Sequence, residues 1–543
     1  MTPKRISQSV VIVLVMATTA AAQDVSRIDQ LVQSFVPSGK FMGSVLIARG
    51  NELVFNKGYG SANLEWNIPN SPSTKFRLGS LTKQFTAASI LLLEERGKLR
   101  VDDPVKKHLS DAPAAWDTIT IFNLLTHTSG IPNFTGFPEY RSLEPFPSTT
   151  EKIVARFRDK PLDFQPGEKW SYSNSGYVLL GYLIERITGG SYEQFVQENI
   201  FAPLAMKDSG YDSNSAVIRN RAAGYAPGPN GPANAGFVHM SIPHAAGALY
   251  STTEDLLRWQ QGLFGGKLLT AASVQKMTTP FRNDYAFGLI VNTANGHKVI
   301  SHNGGIEGFN TYLAYYPDDK LTVVVLANLN GPVPDEMGPK LGALAHGETA
   351  QLTSERKEIA VSREILARYV GTYELVPGVN LMMTLDGNQL MTQLSGQQKF
   401  PIFAESETRF FLKVVDAQLE FGKDEKGAVT FVVLHQNGRD QKAIRKSDTV
   451  LERKEIAVAP AILTAYVGTY QLSPAVDFVI TIDGAQLMAQ ITGQPKLPLF
   501  AESERSFFYK AVDAQVEFAK DEKGAVTHLV LHQGGRDVTA MRK

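Results

Sequence analysis

Phe76-Arg-Leu-Gly-Ser80-Leu-Thr-Lys83-Gln-Phe-Thr86 is the stretch on which the fold and the chemistry both turn. Ser80 follows a glycine and precedes Lys83 by three positions. Behind it runs an apolar series with helical spacing (Phe85, Ala88, Leu91, Leu92) that stops at Gly97. This pattern predicts a helix over residues 80–96 with Gly97 as its C-terminal cap. A serine hydroxyl is a poor nucleophile near neutral pH and needs a base beside it. Positions i and i+3 share a helix face, with β-carbons about 5–6 Å apart, so Lys83 can reach Ser80. A backbone amide at the helix start can also stabilise developing negative charge. Lysine serves as a base only where burial or a neighbouring cation lowers its pKa.

The Ser-x-x-Lys spacing occurs three times, at Ser80, Ser273 and Ser354. Ser354 lies in a charged stretch where Lys357 stays solvated, and Ser273 sits in an Ala-rich turn before Thr278-Thr-Pro280 without a neighbouring glycine. Only Ser80 has a glycine that permits close backbone approach and an apolar helix able to bury its lysine.

Two further motifs carry chemistry. Tyr172-Ser-Asn174 precedes a second predicted helix, 174–188, that ends at Gly189-Gly190. A phenol beside a lysine ammonium ionises more easily and can accept a serine proton. The Asn174 amide offers a donor and an acceptor to a substrate amide; the alternative is Asn174 as a helix N-cap with Tyr172 as packing. His302-Asn-Gly304-Gly305 falls at the end of a predicted strand, where glycines let a substrate lie along the edge and aim a backbone amide at an oxyanion.

Taken in order, 76–86, Leu124-Leu-Thr-His-Thr-Ser-Gly-Ile131, Tyr172-Ser-Asn174, Ala246-Gly-Ala-Leu-Tyr-Ser-Thr252 and His302-Asn-Gly-Gly305 resemble the serine β-lactamase, penicillin-binding protein and esterase superfamily, closest to its class C branch. The resemblance covers residues 30–335. It implies that Ser80 attacks a carbonyl carbon while Lys83 and Tyr172 manage its proton. It further implies that Asn174 holds the substrate amide, that the amides of Ser80 and Gly305 form the oxyanion hole, and that His302 lines the cleft opposite Tyr172. Penicillin-recognising members usually carry Lys-Thr-Gly where this chain has His302-Asn-Gly304. Histidine is mostly neutral at pH 7, which weakens recognition of a β-lactam carboxylate and favours peptidase-like or esterase-like chemistry.

Composition narrows the remaining choices. The 543 residues carry 54 basic and 54 acidic side chains, so no charge excess favours a nucleic acid. Cysteine is absent, which removes disulfides, thiolate metal sites and cysteine nucleophiles. No Gly-x-Ser-x-Gly elbow and no His-Glu-x-x-His pair occurs, so an α/β-hydrolase and a zinc enzyme are both disfavoured. No cofactor and no metal are expected. Lys4 and Arg5, the apolar run 10–16 and Ala20-Ala-Ala22 read as a signal peptide, implying a periplasmic or secreted protein without an integral membrane segment after its removal.

After residue 350 the sequence repeats itself. Tyr369-Val-Gly-Thr-Tyr373 returns as Tyr466-Val-Gly-Thr-Tyr470, and Glu355-Arg-Lys-Glu-Ile-Ala-Val361 as Glu452-Arg-Lys-Glu-Ile-Ala-Val458, both offset by 97 without a gap. Short alternating runs broken by Asp-Gly turns predict antiparallel strands in each copy. These copies resemble the lipocalin-like β-barrel domain that follows such hydrolase domains, where it shapes the cleft or assembles subunits.

The expected architecture is therefore α+β: a two-lobed β-lactamase-like domain, with an antiparallel sheet flanked by helices and a helical lobe, then two small all-β barrel-like repeats. The boundaries read as signal peptide 1–22, hydrolase domain 23–346, linker 347–361, repeat 362–446, linker 447–458 and repeat 459–543. The expected substrate is a small molecule or peptide (a D-amino-acid peptide, a short-chain ester or a β-lactam), with homo-oligomerisation through the repeats. The alternative is a sensor or scaffold that is acylated without efficient turnover.

Overall fold

The computed structural model describes residues 25–348 and 355–543 apart from 38, 229–230, 377–378, 396, 416, 437–438, 449–454, 474–475, 485, 495, 511–513 and 534–535. The expected signal peptide and Ser354 lie outside the described residues. The chain forms two compact units that meet in sequence near residue 352.

In the first unit a hairpin, β1 (Gly43–Arg49) and β2 (Glu52–Tyr59), opens the sheet. Two long helices follow, α1 (Thr82–Glu95) and α2 (Asn174–Thr188). The sheet then resumes with β3 (Ile290–Ala294), β4 (His297–Ile306), β5 (Phe309–Tyr316) and β6 (Leu321–Ala327), before α3 (Val333–Ala345). Strand order is β3-β4-β5-β6-β1-β2, every pair antiparallel, and Val45 of β1 faces Val325 of β6. The N-terminal hairpin thus docks on the last strand of the domain.

Alternate residues of the central strands feed two separate cores. Leu46, Leu313, Val324 and Leu326 pack with α1 and α2, while Val45, Ile47, Val323 and Val325 pack with α3 and the N-terminal helix at 25–33. Both faces of the sheet are covered, which is why Leu-Thr-Val-Val-Val-Leu-Ala of β6 is buried throughout. Each large apolar side chain buried in this way contributes about 1.5–3 kcal/mol.

Two expectations shift here. Ser80 is not in the first α-helical turn: Gly79–Leu81 forms a 3-10 turn, and α1 begins at Thr82. Strand β3 begins at Ile290, with Tyr285 held in a bridge to that residue, although the alternation of Tyr285 to Val291 in the sequence reads as one strand.

In the second unit, residues 468–542 fold into a closed eight-stranded antiparallel barrel. Residues 371–447 make a nearly closed counterpart in which the strand equivalent to Leu497–Ala501 is split into Lys399–Pro401 and Phe403–Ala404. At the split, Ile402 N still donates to Leu390 O at 2.9 Å, in the register that Leu499 and Leu487 hold in the second copy. Each Tyr-Val-Gly-Thr-Tyr motif is explained by its hydroxyls. Tyr369 and Tyr466 donate to Glu407 O and Glu504 O, while Tyr373 and Tyr470 donate to the carbonyls of Tyr369 and Tyr466.

The linkers expected at 347–361 and 447–458 need correcting in their second halves. Ile359 N donates to Ala404 O and Ile456 N to Ala501 O, and Lys413 and Lys510 pair with Glu358 and Glu455. Residues 355–361 and 455–458 therefore belong to the barrels. The signal was present in the repeat itself, because the leader recurs with the same offset as the strands.

Candidate active site

The site is assembled where the 3-10 turn meets the free end of β4. Strand β3 pairs with β4 only from His297 to Ser301, so residues 302–306 present an edge to the nucleophile turn. Gly79 has φ +54, and a β-carbon there would sit 2.9 Å from Gly305 N. At Gly304 a β-carbon would collide with Leu78 O at 2.1 Å and approach Ser80 N to 3.1 Å. Glycine at these two positions lets turn and strand touch, backbone against backbone. Thr311 of β5 fixes the turn further by donating to Leu78 O at 2.8 Å.

Ser80 opens onto a cavity of about 550 Å³ whose near wall includes Thr135, Asn174, Gly247, Gly305 and Ile306. Behind the serine, Lys83 is wholly buried, and burial holds its pKa well below the ordinary lysine value. Its Nζ lies 3.1 Å from Ser80 Oγ, 2.9 Å from Asn174 Oδ1 and 2.9 Å from Ala246 O. The two carbonyl oxygens can only accept. In its deprotonated form the amine would give its two hydrogens to these carbonyls and turn its lone pair to the Ser80 hydroxyl.

Asn174 is the first residue of α2, with Ser173 as the N-cap and no side-chain cap bond, which removes the capping alternative. Its Oδ1 is taken by Lys83, while its Nδ2 donates to Thr135 Oγ1 at 3.3 Å. Only the donor half of the amide is thus turned toward a ligand.

Tyr172 meets Ser80 through its hydroxyl, and Lys83 Nζ stands 4.8 Å from its ring centroid. Burial raises the phenol pKa, and the hydrogen bond to Ser80 only partly opposes that. Burial thus works against the easier ionisation expected of a phenol beside an ammonium. The loop carrying it is pinned by His127, whose carbonyl accepts from Ser171 N and whose Nδ1 accepts from Ser173 N. The His127 ring lies 4.4 Å from that of Tyr172.

His302 departs most from expectation. It shares the inward face of β4 with Gly304 and is 2% exposed. Its Nδ1–H donates to Asn303 O at 2.6 Å and its Nε2 accepts from the Tyr285 hydroxyl at 3.0 Å. Both nitrogens are used inside the protein, so the ring supports Tyr172 and Tyr285 instead of lining the cavity. Burial first, and the Lys83 charge second, push its pKa down to about 4, leaving it neutral.

Ser80, Lys83, Tyr172, Asn174, Gly304 and Gly305 are therefore brought together, and His302 backs them from within. Sequence reasoning missed the Ala246 carbonyl, His127 and Tyr285. The first two lie in segments singled out for the resemblance, but a carbonyl has no residue-type signal. Among the described residues no cluster of three or more His, Asp or Glu side chains is arranged to hold a metal ion.

The beta-lactamase family model matches residues 28–347, and a domain of unknown function (DUF3471) matches twice, at 355–446 and 452–542. Penicillin-binding protein 4* of Bacillus subtilis (strain 168) is 30% identical over 449 residues, spanning 77% of this chain and 98% of that relative. The octameric penicillin-binding protein homologue from Pyrococcus abyssi superposes with a TM-score of 0.56 at 28% identity, covering 77% of this chain and 100% of its own. The D-amino acid amidase from Ochrobactrum anthropi SV3 shares the fold at 23% identity and a TM-score of 0.53, over 59% of this chain and 99% of its own. With its nucleophile turn, its buried lysine and a family match over most of the first unit, this chain belongs to the beta-lactamase family of serine hydrolases.

Proposed function

We propose that this protein is an exported hydrolase that cleaves an amide or ester carbonyl through an acyl-enzyme on Ser80. The observation that carries the reading is the Lys83 environment, two obligate acceptors plus the serine hydroxyl around one buried amine. Lys83 Nζ takes the Ser80 proton as Oγ bonds to the carbonyl carbon, and the amides of Ser80 and Gly305 receive the oxyanion. The carbon–nitrogen or carbon–oxygen bond to the leaving group then breaks. Tyr172 gives its proton to the departing atom and regains one from Lys83. Water adds to the acyl-enzyme, the acid departs, and Ser80 recovers its hydrogen.

The candidate substrates are a D-amino-acid peptide, a short-chain ester and a β-lactam, the last kept in view by relatives named as penicillin-binding proteins. A β-lactam is the weaker candidate, since His302 supplies no charge to the cavity. The basic and apolar N-terminus supports export, and the tandem barrels are proposed as the assembly module, as the octameric relative suggests.

A p-nitrophenyl ester, a D-alanyl peptide and a chromogenic β-lactam, each assayed with wild type and Ser80→Ala, test this. Wild type hydrolyses at least the ester beyond one equivalent, and Ser80→Ala loses about 10³-fold or more. A burst that stops at one equivalent would identify a sensor instead, and near-normal turnover by the alanine variant ends the proposal.

A further inference from the structure

Part of the cavity lining carries charge. Tyr140, Arg141 and Glu307 line it, Arg141 from the short helix Tyr140–Leu143 and Glu307 from the turn between β4 and β5. Arg141 Nη1 lies 3.1 Å from Glu307 Oε1 and 3.1 Å from Oε2 of Glu144, a residue only 3% exposed. One guanidinium thus serves two carboxylates. Arg141 is also the only Lys or Arg among the residues that line the cavity.

The arrangement treats ligand charges unequally. An entering carboxylate would meet a guanidinium that is 78% exposed but already shared between two glutamates, while His302 is neutral and turned inward. An anion there would also face the Glu307 carboxylate beside that guanidinium. An entering cation meets the Glu307 carboxylate, which shares its one guanidinium with the buried Glu144.

We infer that the cavity selects substrates whose recognition group is cationic, such as an acyl donor with a free amino group, and that Glu307 is the residue that receives it. This rests on the hydrolase reading above and names its substrate class. Burial and the adjacent Glu307 raise the Glu144 pKa to about 7, consistent with two carboxylates crowded around one guanidinium.

Three p-nitrophenyl esters of equal chain length, ending in trimethylammonium, tert-butyl or carboxylate, test the inference after subtraction of spontaneous hydrolysis. For wild type, kcat/KM falls in that order, with about 10-fold or more between the first and the last. Glu307→Gln narrows the spread to about 2-fold, and Glu307→Lys reverses the order. Equal wild-type rates on all three esters, or an order that Glu307→Lys leaves intact, overturn the inference alone. Failure of wild type on all three overturns the hydrolase reading and the inference with it.

Discussion

Two segments of the first unit carry the same Ser-x-x-Lys spacing and end in opposite chemical environments. At 80–83 the lysine is wholly buried and its hydrogen-bond partners among the described residues are oxygens of Ser80, Asn174 and Ala246, none of them charged. At 273–276 the lysine is 43% exposed and its Nζ is bound to the Glu94 carboxylate at 2.7 Å. Ser273 there caps nothing reactive, since its Oγ accepts from Thr270 Oγ1. A carboxylate partner stabilises an ammonium, whereas a dry pocket of neutral acceptors penalises it. The spacing is shared, and the surroundings decide which ammonium is penalised.

The largest effect should come from removing the two lysines separately. Lys83→Ala should lower kcat/KM by about 10³-fold or more, and Lys276→Ala by less than about 2-fold. Steady-state kinetics with circular dichroism on each variant checks this, and comparable losses would dissolve the distinction. Next in size, Tyr172→Phe should cost about 10²-fold, within the range of a lost general acid. That loss should be largest for poor leaving groups, which need the proton most. An equal loss with nitrophenolate and alkoxide leaving groups would remove Tyr172 from the departure step.

A third test concerns pH. A base works deprotonated, so kcat/KM should rise with pH and level off well below the ordinary lysine range, because burial lowers the Lys83 pKa. The residual rate of Lys83→Ala should lack that limb. The smallest expected effect is on stability. Glu144 titrates near 7 in the folded chain, above the usual carboxylate value, so the folded state holds its proton more tightly than the unfolded one. Its contribution is present at low pH and is lost as pH rises from about 4.5 to 7. Glu144→Gln should flatten that part of the Tm-against-pH curve, measured by calorimetry.

Helix α2 and strand β6 were legible because their signals are local: a 15-residue helix between Ser173 and Gly189, and an unbroken apolar run. The tandem barrels were legible because the repeat carries its own alternation and turns. The start of α1 was misplaced by two residues, since Gly79 and Gly304 pull the turn onto β4 and tighten it into a 3-10 form. His302 was assigned to the cleft from its motif, and strand alternation then put its side chain on the buried face. The Arg141–Glu144 pair is local, but Glu307 joins it from 166 residues away, which no sequence pattern encodes.

By itself, the sequence determined that a serine and a lysine lie within reach of each other, because three residues of helical or near-helical backbone allow few other distances. Tertiary structure alone decided that this lysine is dry, held below its ordinary pKa and set beside the serine. Asn174 and Ala246 reach it from 91 and 163 residues away, and no local pattern encodes how completely distant chain excludes water.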